Sequence, residues 1–438
     1  MDRASSEDIG SDDYTGEGDW TGLQIFHVQK DEVMGALTTY EEGVNVWHSE
    51  EDLEPNMGDP QTLINLTTGV MDMFPARHYM LDFWNHGGAF WGVCWDDSVG
   101  DHGDALNMTE LSTGLEGITD HIGRRIDVIG FDACLMAQAA VQYQIKDYCD
   151  VGVGSGFTEP GDGWPYERIL PPLVDNPQMT PEELGTTIVN EYIESYTDSE
   201  DDPGDSYMVS MTAFDMAKFE NAAEAISEFG MAMAAGPTGP IPTKASYYSQ
   251  LAAIRSRTAG YDMVNIGPFD FTQYCMYDII DFADRVERDP LLSFLHPAAQ
   301  KVKQTANEAM IRSKLGQVAI HHQGLTVYFP SGTQTVYDAR FSETKFAQEK
   351  YWDDWLGLYE DQSLTDNTPP SVTITSPEGS EQISKDLGSI TIKGTAYDLQ
   401  NTLVSVEIKI GEGDWMPVDG RETWSYPVSY THLRAHET

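Results

Sequence analysis

The stretch Asp127-Val128-Ile129-Gly130-Phe131-Asp132-Ala133-Cys134-Leu135-Met136 constrains this chain more than any other. Its apolar run has the length of a strand buried in a sheet. The run stops at Asp132-Ala133-Cys134, and a helix-compatible segment, residues 135–146, follows at once. Cys134 is therefore expected at the carboxyl end of a buried strand, the edge of an open α/β sheet where ligands bind. The earlier stretch Tyr79-Met80-Leu81-Asp82-Phe83-Trp84-Asn85-His86-Gly87-Gly88 has the same form, with a helix expected over 109–122 between the two. Parallel strands joined by a helical crossover bring His86 and Cys134 to one edge of one sheet. A cysteine nucleophile with a histidine partner is the chemistry such a pair supports.

A chain of 438 residues with 40% hydrophobic content holds one large α/β domain and a smaller module. The 25 Lys and Arg against 72 Asp and Glu give a formal charge of −47, which argues against nucleic acid as a partner, because phosphate binding needs a cationic face. Four cysteines at irregular spacing, Cys94, Cys134, Cys149 and Cys275, fit neither a disulfide framework nor a zinc cluster. No apolar run reaches membrane-spanning length, and the opening residues do not read as a signal peptide.

Residues 1–18 read as an acidic disordered leader. Over 19–360, strands and helices alternate, which predicts a three-layer α/β/α sandwich around a mostly parallel sheet. Strands are expected over 23–28, 151–155, 207–213 and 324–330, and helices beginning at Asp59-Pro60 and Thr180-Pro181. Helical periodicity dominates 215–314. Composition changes at Asn367-Thr368-Pro369-Pro370, within a linker placed at 361–370. The short alternating runs of 371–428 predict a small antiparallel β-sandwich of the immunoglobulin-like kind, cut short. Residues 429–438 abandon both alternation and acidity, and read as a non-native tail.

Several features converge on the His86–Cys134 pair. Gly87 and Gly88 admit close backbone approach, so the amides of Gly87 and Cys134 are candidate oxyanion donors. A helix starting after Cys134 would favour its thiolate through the helix dipole. Trp84-Asn85-His86-Gly87-Gly88 followed by Gly130-Phe131-Asp132-Ala133-Cys134-Leu135-Met136 resembles the clostripain family of cysteine peptidases, with its caspase-like fold. The resemblance extends through Glu159-Pro160-Gly161-Asp162-Gly163-Trp164-Pro165-Tyr166 and the strand expected at 324–330. It implies that His86 is the general acid/base and Cys134 the nucleophile, with no cofactor required. It further implies polypeptide substrates cut after Arg or Lys, with Asp162 and neighbouring Asp132 receiving the cationic side chain. A carboxylate beside the nucleophile suits a guanidinium or ammonium partner, although Asp-Gly is also ordinary turn chemistry. Family members begin with a further strand and helix, so the resemblance implies a missing N-terminal segment, with the signal peptide of a secreted or cell-surface protein lost alongside it. The loop over 93–108 carries no Lys or Arg, so self-processing there is not expected.

Calcium is a possible ligand of two acidic clusters, Asp96, Asp97, Asp101 and Asp104, and Asp198, Glu200, Asp201, Asp202 and Asp205, neither with EF-hand spacing. Two other readings compete. The run His86-Gly87-Gly88 imitates an esterase oxyanion loop, but no Gly-x-Ser-x-Gly elbow accompanies it. The non-enzyme alternative is an inactive peptidase scaffold carrying an adhesion-type β-sandwich.

Overall fold

The computed structural model describes residues 2–3, 22–27, 44–48, 55–100, 103–197, 208–237, 244–261, 265–266, 269–270, 275–316, 321–330, 338–360, 371–377, 389–397, 406–410, 415–420 and 423–429. The expected linker lies outside them, as does all but the first residue of the expected tail. Within the expected leader, Asp2–Arg3 pairs antiparallel with Gly22–His27, so that part of the leader carries strand structure.

The larger unit is built in chain order from α1 (Pro60–Met73), β1 (Met80–Trp84), α2 (Met108–Ile122), β2 (Ile126–Asp132), α3 (Ala139–Ile145) and β3 (Cys149–Gly154). It continues with α4 (Tyr166–Asp175), α5 (Pro181–Thr197), β4 (Ser210–Asp215), α6 (Met216–Ala234), α7 (Lys244–Arg255), α8 (Ile279–Arg288), α9 (His296–Ala309) and β5 (Met310–Leu315). Strands β1 to β5 form one sheet in that spatial order. Pairings β1–β2 and β2–β3 are parallel, whereas β3–β4 and β4–β5 are antiparallel. The sheet is thus mixed where the sequence suggested mostly parallel. The reason is the number of helices in each connection. One helix between two strands returns the chain to the starting end of the sheet and gives a parallel pair. Between β3 and β4 the chain runs through α4 and then α5, so it re-enters from the opposite end.

Strand alternation sorts the core into two layers. In β2, Val128 packs on one face with Val151, Val153, Ile188 and Val189, the last two from α5. Ile129 and Phe131 face the other way, onto Leu111 and Leu115 of α2 and Val141 of α3. Truncating Phe131, which is fully buried, to Ala would cost about 3–5 kcal/mol. Caps set the helix starts. Asp59 accepts from the Gln61 amide at 2.8 Å, Thr180 and Glu183 exchange a capping box, and Asn107 with Glu110 forms a second box at α2. Strand β5 lies where helical periodicity was expected to persist. The pattern fails after Ala309, and Arg312 to Leu315 instead pair with Ser210 to Ala213. The strand expected at 324–330 shortens to Thr326–Tyr328 and forms a separate ribbon with Met276–Asp278.

Beyond residue 370, Ser371–Ser376, Ser389–Tyr397, Thr423–Ser429 and Asp419–Gly420 form a four-stranded antiparallel sheet, and Glu407–Ile408 pairs with Met416–Pro417. Its small core is Ala396, Val406, Ile408 and Trp424.

Candidate active site

Trp84 of β1 is paired with Asp132 of β2 in the parallel ladder. His86 and Cys134 each lie two residues beyond that matched pair, so both chains leave the sheet at the same edge. His86 is exposed and its amide donates to Asn85 Oδ1. Gly87 then packs on the main chain of Cys134. A Cβ there would strike the Cys134 carbonyl oxygen and come within 2.9 Å of its amide nitrogen and 3.0 Å of the Ala133 Cβ.

Cys134 Sγ accepts a hydrogen bond from the Glu159 amide at 3.2 Å. Burial pushes the thiol above its ordinary value, and the Asp132 carboxylate adds to that. The amides of Glu159, Gly87 and Cys134 itself pull the other way without cancelling it.

The chain does not enter a helix after Cys134. Leu135 adopts a φ of +68°, and its amide donates to the Phe157 carbonyl at 3.0 Å. Ala137 donates to Ser155 at 2.8 Å and accepts from Thr326 at 3.1 Å, so the segment is pinned on both sides until α3 begins at Ala139. The expected helix dipole on Cys134 is therefore absent, and main-chain amides supply the positive field at the sulfur instead. Tight anchoring to the 155–157 and Thr326 segments overrides the helical propensity of residues 135–138.

Alternation in β1 and β2 turns Asp82 and Asp132 toward the α4–α5 face, where Met80 and Val128 also pack. The Asp132 carboxylate is buried and accepts from the Trp164 amide at 3.1 Å through both oxygens, and from the Tyr166 phenol at 2.8 Å. The same phenol lies 2.5 Å from Asp82 Oδ2. Gly163, with φ +63°, folds the loop so closely around Asp132 that a Cβ would sit 2.8 Å from its Oδ1. Glu159 faces the same carboxylate, and its two buried oxygens accept no hydrogen bond from a described donor. Asp162 differs: it is exposed at the tip of the turn closed by the Gly163 amide on the Pro160 carbonyl at 3.0 Å.

Burial raises all three inner carboxyls. Asp82 is pushed up to about 7, eased by Tyr166 and aggravated by Asp132. Glu159 is driven well above the usual range by burial and then by Asp132 and Cys134. Asp132 is raised by burial despite its amide and phenol donors. Sequence reading passed over Asp82, Glu159 and Tyr166. An acid inside the apolar run Met80-Leu81-Asp82-Phe83-Trp84 was the signal for the first, since an unpaired acid in a strand core is costly.

In the first acidic cluster two carboxylates are tied into the local main chain. Asp96 is occupied by the Met57 and Ser98 amides and the Ser98 hydroxyl, and Asp104 by Asn56 and the Ala105 amide. Asp101 and the whole second cluster lie outside the described residues. Among the described residues no three His, Cys, Asp or Glu side chains are grouped as metal ligands.

A parallel sheet edge that presents cysteine beside a histidine-glycine turn defines a class of α/β cysteine peptidase scaffolds. The sequence pattern of the clostripain family matches residues 29–359, and that of a bacterial Ig domain matches 370–437. The chain belongs to the clostripain family and carries an Ig-like domain after it. Clostripain of Hathewaya histolytica is 24% identical over 343 residues, a stretch that spans 67% of this chain and 60% of the relative. A secreted C11 cysteine protease from Bacteroides thetaiotaomicron, solved with an irreversible peptide inhibitor, shares the fold at a TM-score of 0.52 and 17% identity, over 76% of this chain and 86% of that one. An inactive zymogen C11 protease from Parabacteroides distasonis aligns at a TM-score of 0.51 and 17% identity, over 75% and 84% of the two chains.

Proposed function

We propose that this protein is a cysteine endopeptidase that cleaves after Arg or Lys through Cys134 and His86. The observation that carries the reading is the parallel register of Trp84 with Asp132, with Gly87 packed on the Cys134 main chain. Cys134 Sγ attacks the scissile carbonyl carbon, and its proton passes to His86. The developing oxyanion is met by the amides of Gly87 and Cys134, whose N–H groups already favour negative charge on the sulfur. His86 protonates the leaving amine, the C–N bond breaks, and a thioester remains. Water, deprotonated by His86, then releases the new carboxylate. Asp132, behind the nucleophile, and Asp162, at the loop tip, supply the negative field for the cationic side chain.

An extracellular setting fits this reading: the B. thetaiotaomicron relative is secreted, and no described helix is long and apolar enough to cross a membrane. The test is hydrolysis of fluorogenic peptides ending in Arg, Lys, Gln or Leu by the parent chain and by Cys134→Ala. Iodoacetamide-sensitive turnover of the Arg and Lys peptides, absent from Cys134→Ala, supports it. Turnover that survives Cys134→Ala would sink it.

A further inference from the structure

Three carboxyl groups lie together behind Cys134: half-buried Asp82 on β1, buried Asp132 on β2, and Glu159 on the loop over the nucleophile, half-buried with both carboxyl oxygens covered. Among the described residues no Lys, Arg or His side chain forms an ion pair with any of them. Elsewhere this chain pairs its scarce cations with acids, as Lys350 does with Glu220 and Glu224. An uncompensated buried cluster of like charge is expensive, so it holds protons, a counter-cation, or both.

Donors reach this cluster unevenly. Asp132 accepts from the Trp164 amide and the Tyr166 phenol, and the same phenol reaches Asp82. The Glu159 carboxyl, whose oxygens accept nothing from any described donor, stands against Asp132, so its charged form is the least supported and it holds a proton. Its own main chain touches the nucleophile, because the Glu159 amide donates to Cys134 Sγ. Thr158, Glu159 and Pro160 are half-buried and Gly161 is exposed, so this carboxyl lies one loop layer from solvent.

We propose that Glu159 is a specificity-determining residue whose carboxyl, together with Asp132, receives the cationic side chain of the substrate, and that the cation displaces the proton Glu159 holds in the free protein. This rests on the Arg and Lys specificity proposed above and adds a residue and a linked proton to it. The proton passes to solvent as the guanidinium or ammonium enters, and no covalent bond to the substrate changes in that step. Cationic substrates then bind more tightly as pH rises, because the proton they must expel is held less firmly. The titratable groups facing Glu159 are Asp132 and Cys134 beyond β2, Asp82 on β1 with Tyr166 of α4 behind it, and Tyr192 on α5. None of them is a cation.

The experiment has two arms on the full chain. In the first, Cys134→Ala is titrated calorimetrically near pH 6 with an acetylated peptide amide ending in Arg, in two buffers of different ionisation enthalpy. About one proton released per peptide bound, and none in Cys134→Ala/Glu159→Gln, is expected. In the second, Glu159→Gln on the active background raises KM for Arg and Lys peptides about 10- to 100-fold, the worth of a hydrogen bond to a charged group, and flattens the pH dependence of KM, with kcat affected far less. Glu159→Asp, which keeps the charge, retains the proton release and an intermediate KM, and takes the place of Glu159→Gln should the latter fail to fold. No proton release, or an unchanged KM in Glu159→Gln, overturns the inference while leaving Arg and Lys cleavage standing. A parent chain that turns over Gln or Leu peptides but neither Arg nor Lys peptides overturns both.

Discussion

Gly87 is packed so tightly on Cys134 that even a methyl group at Gly87 would collide with the Cys134 carbonyl oxygen. Gly87→Ala therefore has to push the histidine turn away from the nucleophile or shift the amides that meet the oxyanion. The expected outcome is a fall in kcat of about 10²–10³-fold, the usual cost of losing an oxyanion donor. Circular dichroism and kinetics on one preparation check it. A variant with parental kcat would show that Gly87 plays no part in the chemistry.

Cys134 is expected to react sluggishly in the free protein. Its thiol is raised, first by burial and then by Asp132, so the thiolate is scarce at neutral pH. The rate of alkylation by iodoacetamide should keep climbing through and beyond pH 8.5, the ordinary thiol value of about 8.5 being exceeded here. A plateau reached below pH 8 would contradict that electrostatic picture.

Asp82 gives a stability signature with a definite sign. Its folded value of about 7 stands above the unfolded carboxyl value of about 3.9. The folded state thus holds the proton more firmly, and the stabilisation is complete below about pH 4 and lost as pH rises through about 7. The groups around it, Tyr166, Asp132 and Cys94, supply no positive charge to reverse the trend. The parent's urea midpoint should fall relative to that of Asp82→Asn between pH 5 and 8. A constant gap between the two would refute it.

Gly163 answers a conformational need and a steric one together. Its φ of +63° is a left-handed conformation, and a Cβ there would press on the Asp132 carboxylate. Gly163→Ala should cost about 1–2 kcal/mol from backbone strain alone, and more through the displaced carboxylate. Thermal unfolding and KM for Arg peptides, both measured on the variant, check the two parts. A variant as stable as the parent would mean the loop has room to relax.

The framework was readable because it rests on local signals. Caps at Asp59 and Thr180, the apolar run into Asp132 and the His86-Gly87-Gly88 turn each state their own structure. Three features escaped because they depend on distant partners. Strand β5 exists only through its ladder to β4, since residues 310–315 carry no strong alternation of their own. The non-helical segment after Cys134 is dictated by the Phe157 and Thr326 main chains, against a helix-forming composition. The cluster assembles residues 82, 132, 159 and 166 from two strands and the loop and helix that cover one face of them, and no linear spacing announces it.

Leu135 shows what that arrangement demands. A fully buried residue with a Cβ is held at a positive φ immediately after the reactive sulfur, at a backbone cost of about 1–2 kcal/mol. The turn behaves as a bent leaf spring clamped at Leu135 by Phe157 and at Ala137 by Ser155 and the Thr326 strand. Loosening either clamp would release that strain and, with it, the main-chain position that holds Cys134 at the edge it shares with His86. Sequence changes far from the sulfur, in the 155–157 segment or around Thr326, therefore tune the chemistry without ever touching a substrate.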